Sequence, residues 1–302
     1  YSEFFSLNID VNNGITVNTN LDLDGDSYWR ADYGNANNVV AEGVAGTGDG
    51  VGDFTSASGK AITNKDAIFG VISNEIYLNS TVNVGTQEGA DVIFNVSDGG
   101  DIGIVIDPED LDYHIDEVEL QNIYALNLEI GDDTSGSITV GNISPVYTQN
   151  ILNDVEMEAT AEGGQVVFRG SDAIFKKVTT FADKGIIVMG NITTTEEDII
   201  LDGDATGAGG ADAKVHFYDG VKLKSFRDIQ IGARSGDIWA DGDLTLEARR
   251  DITIKDPLTA NDDVIIHADS PDDSPVFGDP VASDGEGDFF LIEEGSISAK
   301  TG

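Results

Sequence analysis

The chain has 302 residues, with 16 Lys and Arg against 56 Asp and Glu, a formal charge of −40 and a pI near 4.1. At 40% hydrophobic it can bury a core, which excludes wholesale disorder, and zero Cys excludes disulfide frameworks, thiolate zinc sites and Cys nucleophiles. So acidic a chain repels nucleic acid and anionic lipid, and no apolar run reaches the roughly 18 residues that would span a bilayer as a helix. Neither nucleic-acid binding nor membrane insertion is expected.

Taken in chain order, Tyr1-Ser2-Glu3-Phe4-Phe5 has neither an initiator Met nor a basic-then-apolar leader, so a processed product or a piece of something larger is expected. A first strand is predicted at Leu21-Asp22-Leu23-Asp24. It runs into Asp22-Leu23-Asp24-Gly25-Asp26, which starts like a calcium loop. The EF-hand positions for Gly and Glu hold Ser27 and Tyr33, so that motif is rejected. Short alternating segments then follow, most of them led by Asp: Asp91–Phe94, Asp101–Val105, Gly185–Val188, Asp198–Leu201, Asp228–Ile231, Asp237-Ile238, Asp243–Leu246, Asp251–Ile254 and Asp263–Ile266. Period-two alternation over four or five residues between turn formers predicts strands.

Two or three such strands make one coil of about 20 to 30 residues, the range of solenoid repeats. The strands are very short, and their connections lack the two-residue Asn-Gly or Asp-Gly hairpins of a meander. The expected fold is therefore all-β, a single elongated parallel β-helix over residues 1–302 with long Gly/Asp-rich loops; an antiparallel β-sandwich is the alternative. Residues 50–63 (GVGDFTSASGKAIT) and 285–298 (GEGDFFLIEEGSIS) share Gly-x-Gly-Asp-Phe. Segment 264–302 would then repeat segment 15–66, so that the chain closes on the motif with which it opens.

Charge is uneven. No Lys or Arg stands between Lys65 and Arg169, a stretch that holds 20 Asp and Glu. Stacked coils would set such residues about 4.8 Å apart, inside a Debye length of about 8 Å, so cations are expected to screen them. Carboxylates across Gly turns are the candidate calcium ligands: Asp22, Asp24, Asp26, Asp49, Asp53, Asp202, Asp204, Asp241 and Asp243. The His residues, at 114, 216 and 267, have no metal spacing, and no Gly-x-Ser-x-Gly elbow is present. No catalytic residue is assigned. The carboxylates from Asp107 to Glu119 leave a carbohydrate-active enzyme as a minority reading.

From 225 to 269 the chain reads SFRDIQIGARSGDIWADGDLTLEARRDITIKDPLTANDDVIIHAD. Gly236-Asp237-Ile238, Gly242-Asp243-Leu244-Thr245-Leu246-Glu247-Ala248 and Asp251-Ile252-Thr253-Ile254 resemble the filamentous-haemagglutinin-type repeat of large exported bacterial adhesins and two-partner-secretion exoproteins. A weaker echo lies at Gly190-Asn191-Ile192-Thr193-Thr194. The resemblance implies a right-handed parallel β-helix, export, and duty at the cell surface in adhesion or as a stalk. Val11–Val17 matches the family's N-terminal secretion signature only loosely.

The expected function is that of an extracellular structural protein, part of a surface fibre, stalk or envelope layer. Its units would join end to end with further copies or adjacent repeats through Phe4, Phe5, Phe289, Phe290, Leu291 and Ile292. An adhesin for cell-surface glycans is the alternative, with Tyr28, Trp29, Tyr33 and Trp239 as the aromatics to watch.

Overall fold

The computed structural model describes residues 2–33, 52–106, 111, 113–270, 287–292 and 295–299. The chain divides into two compact units: residues 1–138 with 146–158, and residues 139–145 with 159–302. Each is a parallel β-helix. Within each unit the strand pairs run parallel, which removes the antiparallel sandwich.

The second unit is the more regular. Strands Lys177–Ala182, Gly185–Val188 and Asn191–Thr194 occupy three different sheets, and Ile199–Asp202 then returns to pair with the first of them. Three strands therefore make one coil. Equivalent residues in successive coils lie 30 and then 23 positions apart, the predicted spacing. Ile199 pairs with Ile229 and Ile229 with Ile252, while Leu201, Ile231 and Ile254 form a second row two residues on. All six are almost fully buried. The row is a direct product of period-two alternation: every second side chain points inward and meets the same kind of side chain one layer along. At roughly 25 cal/mol per Å² of apolar area, these rows are the main stabilising term.

The first unit starts in the same way. Its first three strands, Ser2–Phe4, Ile9–Asp10 and Ile15–Val17, pair with Leu21–Leu23, Ser27–Arg30 and Phe54–Ser56 of the following coil. Inside, Trp29, Phe54 and Phe69 meet edge to face with ring centroids 5.6–6.1 Å apart. Gly70 is required by Tyr28, since a Cβ there would meet the Tyr28 ring at 2.7 Å.

The coil then becomes irregular. Ile102–Ile104 is followed by a second strand in the same sheet, Tyr113–Ile115, paired on it in parallel. A short helix, Glu117–Gln121, leads onward to Ile123–Tyr124.

The segments predicted from Asp91 to Asp263 all become strands, Gly185–Val188 with the same bounds and the others displaced by one or two residues at their ends. The shared motif supplies two consecutive strands each time, Phe54–Ser56 with Ala61–Asn64 and Phe289–Leu291 with Ile297–Ala299.

Candidate functional site

The chemistry of this fold concentrates at its corners and its ends. The corners carry a ladder of side-chain oxygens. Asp228 N–H donates to Asp198 Oδ1 (3.0 Å), Asp251 N–H to Asp228 Oδ1 (3.0 Å) and Asp288 N–H to Asp251 Oδ1 (2.8 Å). A second run joins Asp243 N–H to Asp219 Oδ1 (2.9 Å) and Asp263 N–H to Asp243 Oδ1 (3.0 Å). In the first unit Asn8, Asn20 and Asp26 accept from Tyr28, Ala61 and Ile68 in the same sense. A residue one or two positions before a strand thus uses its short side chain to hold the next coil's backbone at the bend. Sequence reading placed these Asp residues at turns and missed this bond. The signal was there, in the regular Asp immediately before an aliphatic pair.

Among the described residues the last coil is open and the first coil is open in part, since Ile15 and Val17 on its third strand are buried. Phe289 and Leu291 continue the inward rows of Ile252 and Ile254. They are nevertheless 41% and 44% exposed where Ile252 and Ile254 are at 0%, because no described strand lies beyond them. Phe290 and Ile292 are exposed beside them, as are Phe4 and, most of all, Phe5 at 79%. Every residue expected to mediate association therefore lies on an outermost strand or directly after one.

Glu3, Phe4, Phe5, Asp22 and Asp24 line a small concavity at the start of the chain. It brings two of the calcium candidates beside two of the association residues. Asp24 also ties the edge down through its N–H, which donates to Phe4 O and Phe5 O at 3.1 and 3.2 Å.

The remaining calcium candidates are dispersed. Asp26 is a rung of the ladder, and Asp53 accepts from Asn74 Nδ2 at 3.2 Å. Asp49 lies outside the described residues. Asp202 is pushed up by burial, and its carboxylate accepts from Asp204 N–H. Asp204 is buried, which alone would raise it, but hydrogen bonds from the Ser235 hydroxyl and from Gly209 N–H outweigh this and hold it below the usual carboxylate range. Asp243 is a rung. Among the described residues no three His, Asp or Glu side chains are grouped to hold a metal ion.

Two clusters escaped the sequence. In the irregular coil, Glu75 Oε1 accepts from His114 N–H (2.8 Å), and Glu119 Oε1 accepts from Leu78 N–H (2.9 Å). These carboxylates bridge the Ile76–Leu78 and Tyr113–Ile115 segments. Glu119 Oε2 also takes Asp116 N–H at 2.9 Å, closing a capping box at the helix start. Burial drives Glu119 up to about 7 and raises Glu75 as well. Both oxygens of Glu119 are occupied by backbone donors, so it serves as a brace here. Of the Asp107–Glu119 run, residues 107–110 and 112 lie outside the described residues.

The second cluster sits on a lateral face of the second unit. Asp241 Oδ1 meets His216 Nε2 at 3.0 Å and Trp239 Nε1 at 3.0 Å, and Tyr218 lies beside His216 with centroids 5.4 Å apart. The His216 hydrogen bond, foremost, holds Asp241 below the ordinary carboxylate range. Strand register makes the cluster by setting His216 opposite Trp239. Trp29, by contrast, is a core residue.

Among the described residues, coils held by Asx rungs with exposed apolar side chains on outermost strands define a class: parallel β-solenoids. Comparison with protein-family models, curated proteins and solved structures gives no match.

Proposed function

We propose that this is an exported, extracellular structural protein whose β-solenoid units associate end to end within a surface fibre, stalk or envelope layer. The observation that carries the reading is the exposure of edge residues among the described residues. Phe4, Phe289 and Leu291 are 41–44% exposed where their register partners one coil in, Leu23, Ile252 and Ile254, are fully buried, while Ile15 and Val17 on the first coil are buried. An unpaired parallel edge with an apolar cross-section is a template for another strand layer, and monomeric solenoids cover theirs. The resemblance of residues 225–269 to haemagglutinin-type repeats supports export and surface duty. Sedimentation velocity over a dilution series, with negative-stain microscopy, tests it. Concentration-dependent oligomers and thin filaments are expected; a monomer unchanged by concentration refutes it.

The His216–Tyr218–Trp239–Asp241 cluster favours a second reading, a glycan-binding adhesin. Aromatic faces can stack on sugar rings, while a carboxylate accepts from their hydroxyls. Glycan-array binding lost in Trp239→Ala, with assembly unchanged, would establish it.

A further inference from the structure

The two ends are not equivalent, and their chemistry fits in one arrangement. We infer that the last coil of one copy receives the first coil of a second copy in a single register. Val264–His267 meets Ser2–Phe4, Phe289–Leu291 meets Ile9–Asp10, and Ile297–Ala299 meets Ile15–Val17. This rests on the end-to-end reading above and specifies its partner and geometry.

Strand order comes first. Following the chain, each end presents three consecutive strands that are the outermost members of three different sheets. Side-chain alternation comes next. Val264, Ile266, Phe289, Leu291, Ile297 and Ala299 continue the inward rows of their sheets, because their register partners Leu244, Leu246, Ile252, Ile254, Leu258 and Ala260 are buried. On the other end Ile9, Ile15, Val17 and Phe4 pair with the buried Trp29, Phe54, Ser56 and Leu23. Stacking in the stated register sets Ile266 on Phe4, Phe289 on Ile9, Ile297 on Ile15 and Ala299 on Val17. Outside, Ser298 already pairs with Thr259, and Thr16 with Thr55. Joining Ser298 to Thr16 makes one unbroken hydroxyl row.

The Asx ladder selects among the three rotations. Asp263 and Asp288 end their runs, and among the described residues no donor meets either carboxylate. Each earlier rung except Asp219, which is one residue off, accepts the N–H of the residue opposite it in strand register one coil along. In the stated register Asp288 meets Asn8 N–H, for which no described residue is an acceptor, and Asn8 itself is the first rung of the following coil. The residue that Asp263 would face lies outside the described residues. Rotation by one face in either sense instead places Asp288 or Asp263 opposite Gly14 N–H, which is already bonded to Ala31 O at 2.8 Å. Among the described residues, only the stated rotation sets no rung against an engaged donor.

The absence of Cys allows a direct test. Adjacent parallel strands lie about 4.8 Å apart, within disulfide reach. Ser298→Cys is mixed under mild oxidation with Thr16→Cys, Glu3→Cys or Asp10→Cys, which probe the stated register and the two rotations. A covalent dimer dominated by the Thr16→Cys mixture is expected. Cross-linking dominated by Glu3→Cys or Asp10→Cys overturns the register and leaves end-to-end association standing. Filaments with no cross-link from any mixture overturn coil-on-coil joining. A concentration-independent monomer removes both readings. In parallel, Asp288→Ala should weaken association roughly tenfold and Asp288→Asn much less, as loss and retention of an acceptor dictate; equal assembly by wild type and Asp288→Ala overturns the ladder argument.

Discussion

Glu119 offers a sharp quantitative test of the irregular coil. Its carboxyl is buried, and burial lifts it from 4.5 to about 7. A carboxyl raised on folding favours the protonated native state. Its contribution is therefore greatest at low pH and declines as pH rises from 4.5, where the unfolded chain begins to ionise, to about 7, where the folded one does. Integrating over those two values, the wild type loses about 2.5 kcal/mol from this one group between pH 5 and pH 8. Glu75, Glu129 and Asp202 are displaced in the same direction by burial, so the slope of the wild type alone does not isolate Glu119. Glu119→Gln does. The amide oxygen still accepts from Leu78 N–H, and losing the bond to Asp116 N–H costs about 1 kcal/mol at every pH. The stability of the variant relative to wild type should therefore rise by about 2.5 kcal/mol between pH 5 and pH 8. Urea unfolding in a Trp239→Phe background leaves Trp29, packed against Phe54 and Phe69, as the fluorescent reporter of the first unit. A difference that stays constant to within about 0.5 kcal/mol would show that Glu119 is not a buried brace.

Two other perturbations address the ladder and the stacking. Asp228→Ala removes the acceptor of Asp251 N–H and should cost about 1–2 kcal/mol in urea unfolding, whereas Asp228→Asn, which keeps an oxygen at that position, should cost under about 0.5 kcal/mol; equal losses would reject the rung assignment. Gly190→Ala would place a methyl 2.0 Å from Gly170 O and 2.5 Å from Ser171 O, so it should cost about 2–3 kcal/mol. Gly220→Ala, at φ +77° with nothing within 4 Å, carries only the left-handed backbone penalty of about 1 kcal/mol, and thermal melting should rank the two in that order.

The fold was legible because its information is local. Segments such as Asp228–Ile231 and Asp251–Ile254 carry their own alternation and their own stop signals, and identical coils need only be laid on one another. The Tyr113–Ile115 strand was not legible in this way. Its pairing with Ile102–Ile104 depends on a doubling back that no alternation announces, and the carboxylates that brace it, Glu75 and Glu119, are 44 residues apart in sequence. The Asp107–Glu119 run therefore suggested paired carboxylates for glycan chemistry, while Glu119 has both oxygens on backbone donors. The His216–Trp239 pairing was hidden for a related reason. Residues 23 apart become neighbours only once the coil length is fixed, and coil length here varies from corner to corner.

The excess of Asp has a geometric reason. To reach an N–H one layer away, a side chain must carry an oxygen on a short stem; Asp and Asn do, while Lys and Arg have no acceptor at all. Asn fills the role at Asn8, Asn20 and Asn191, so charge is not required by the geometry. A carboxylate makes the stronger bond to an N–H, at the expense of like charges repeated about 4.8 Å apart. The second unit offsets this partly with ion pairs such as Lys222–Glu247 at 2.6 Å and Arg227–Glu197 at 2.7 Å. The first unit has only Arg30, Lys60 and Lys65 for the whole of its acidic surface. Its repulsion is left to dissolved ions to screen, so the same residue that fastens coil to coil is expected to make their stacking salt-dependent, which urea unfolding at low and at physiological salt checks.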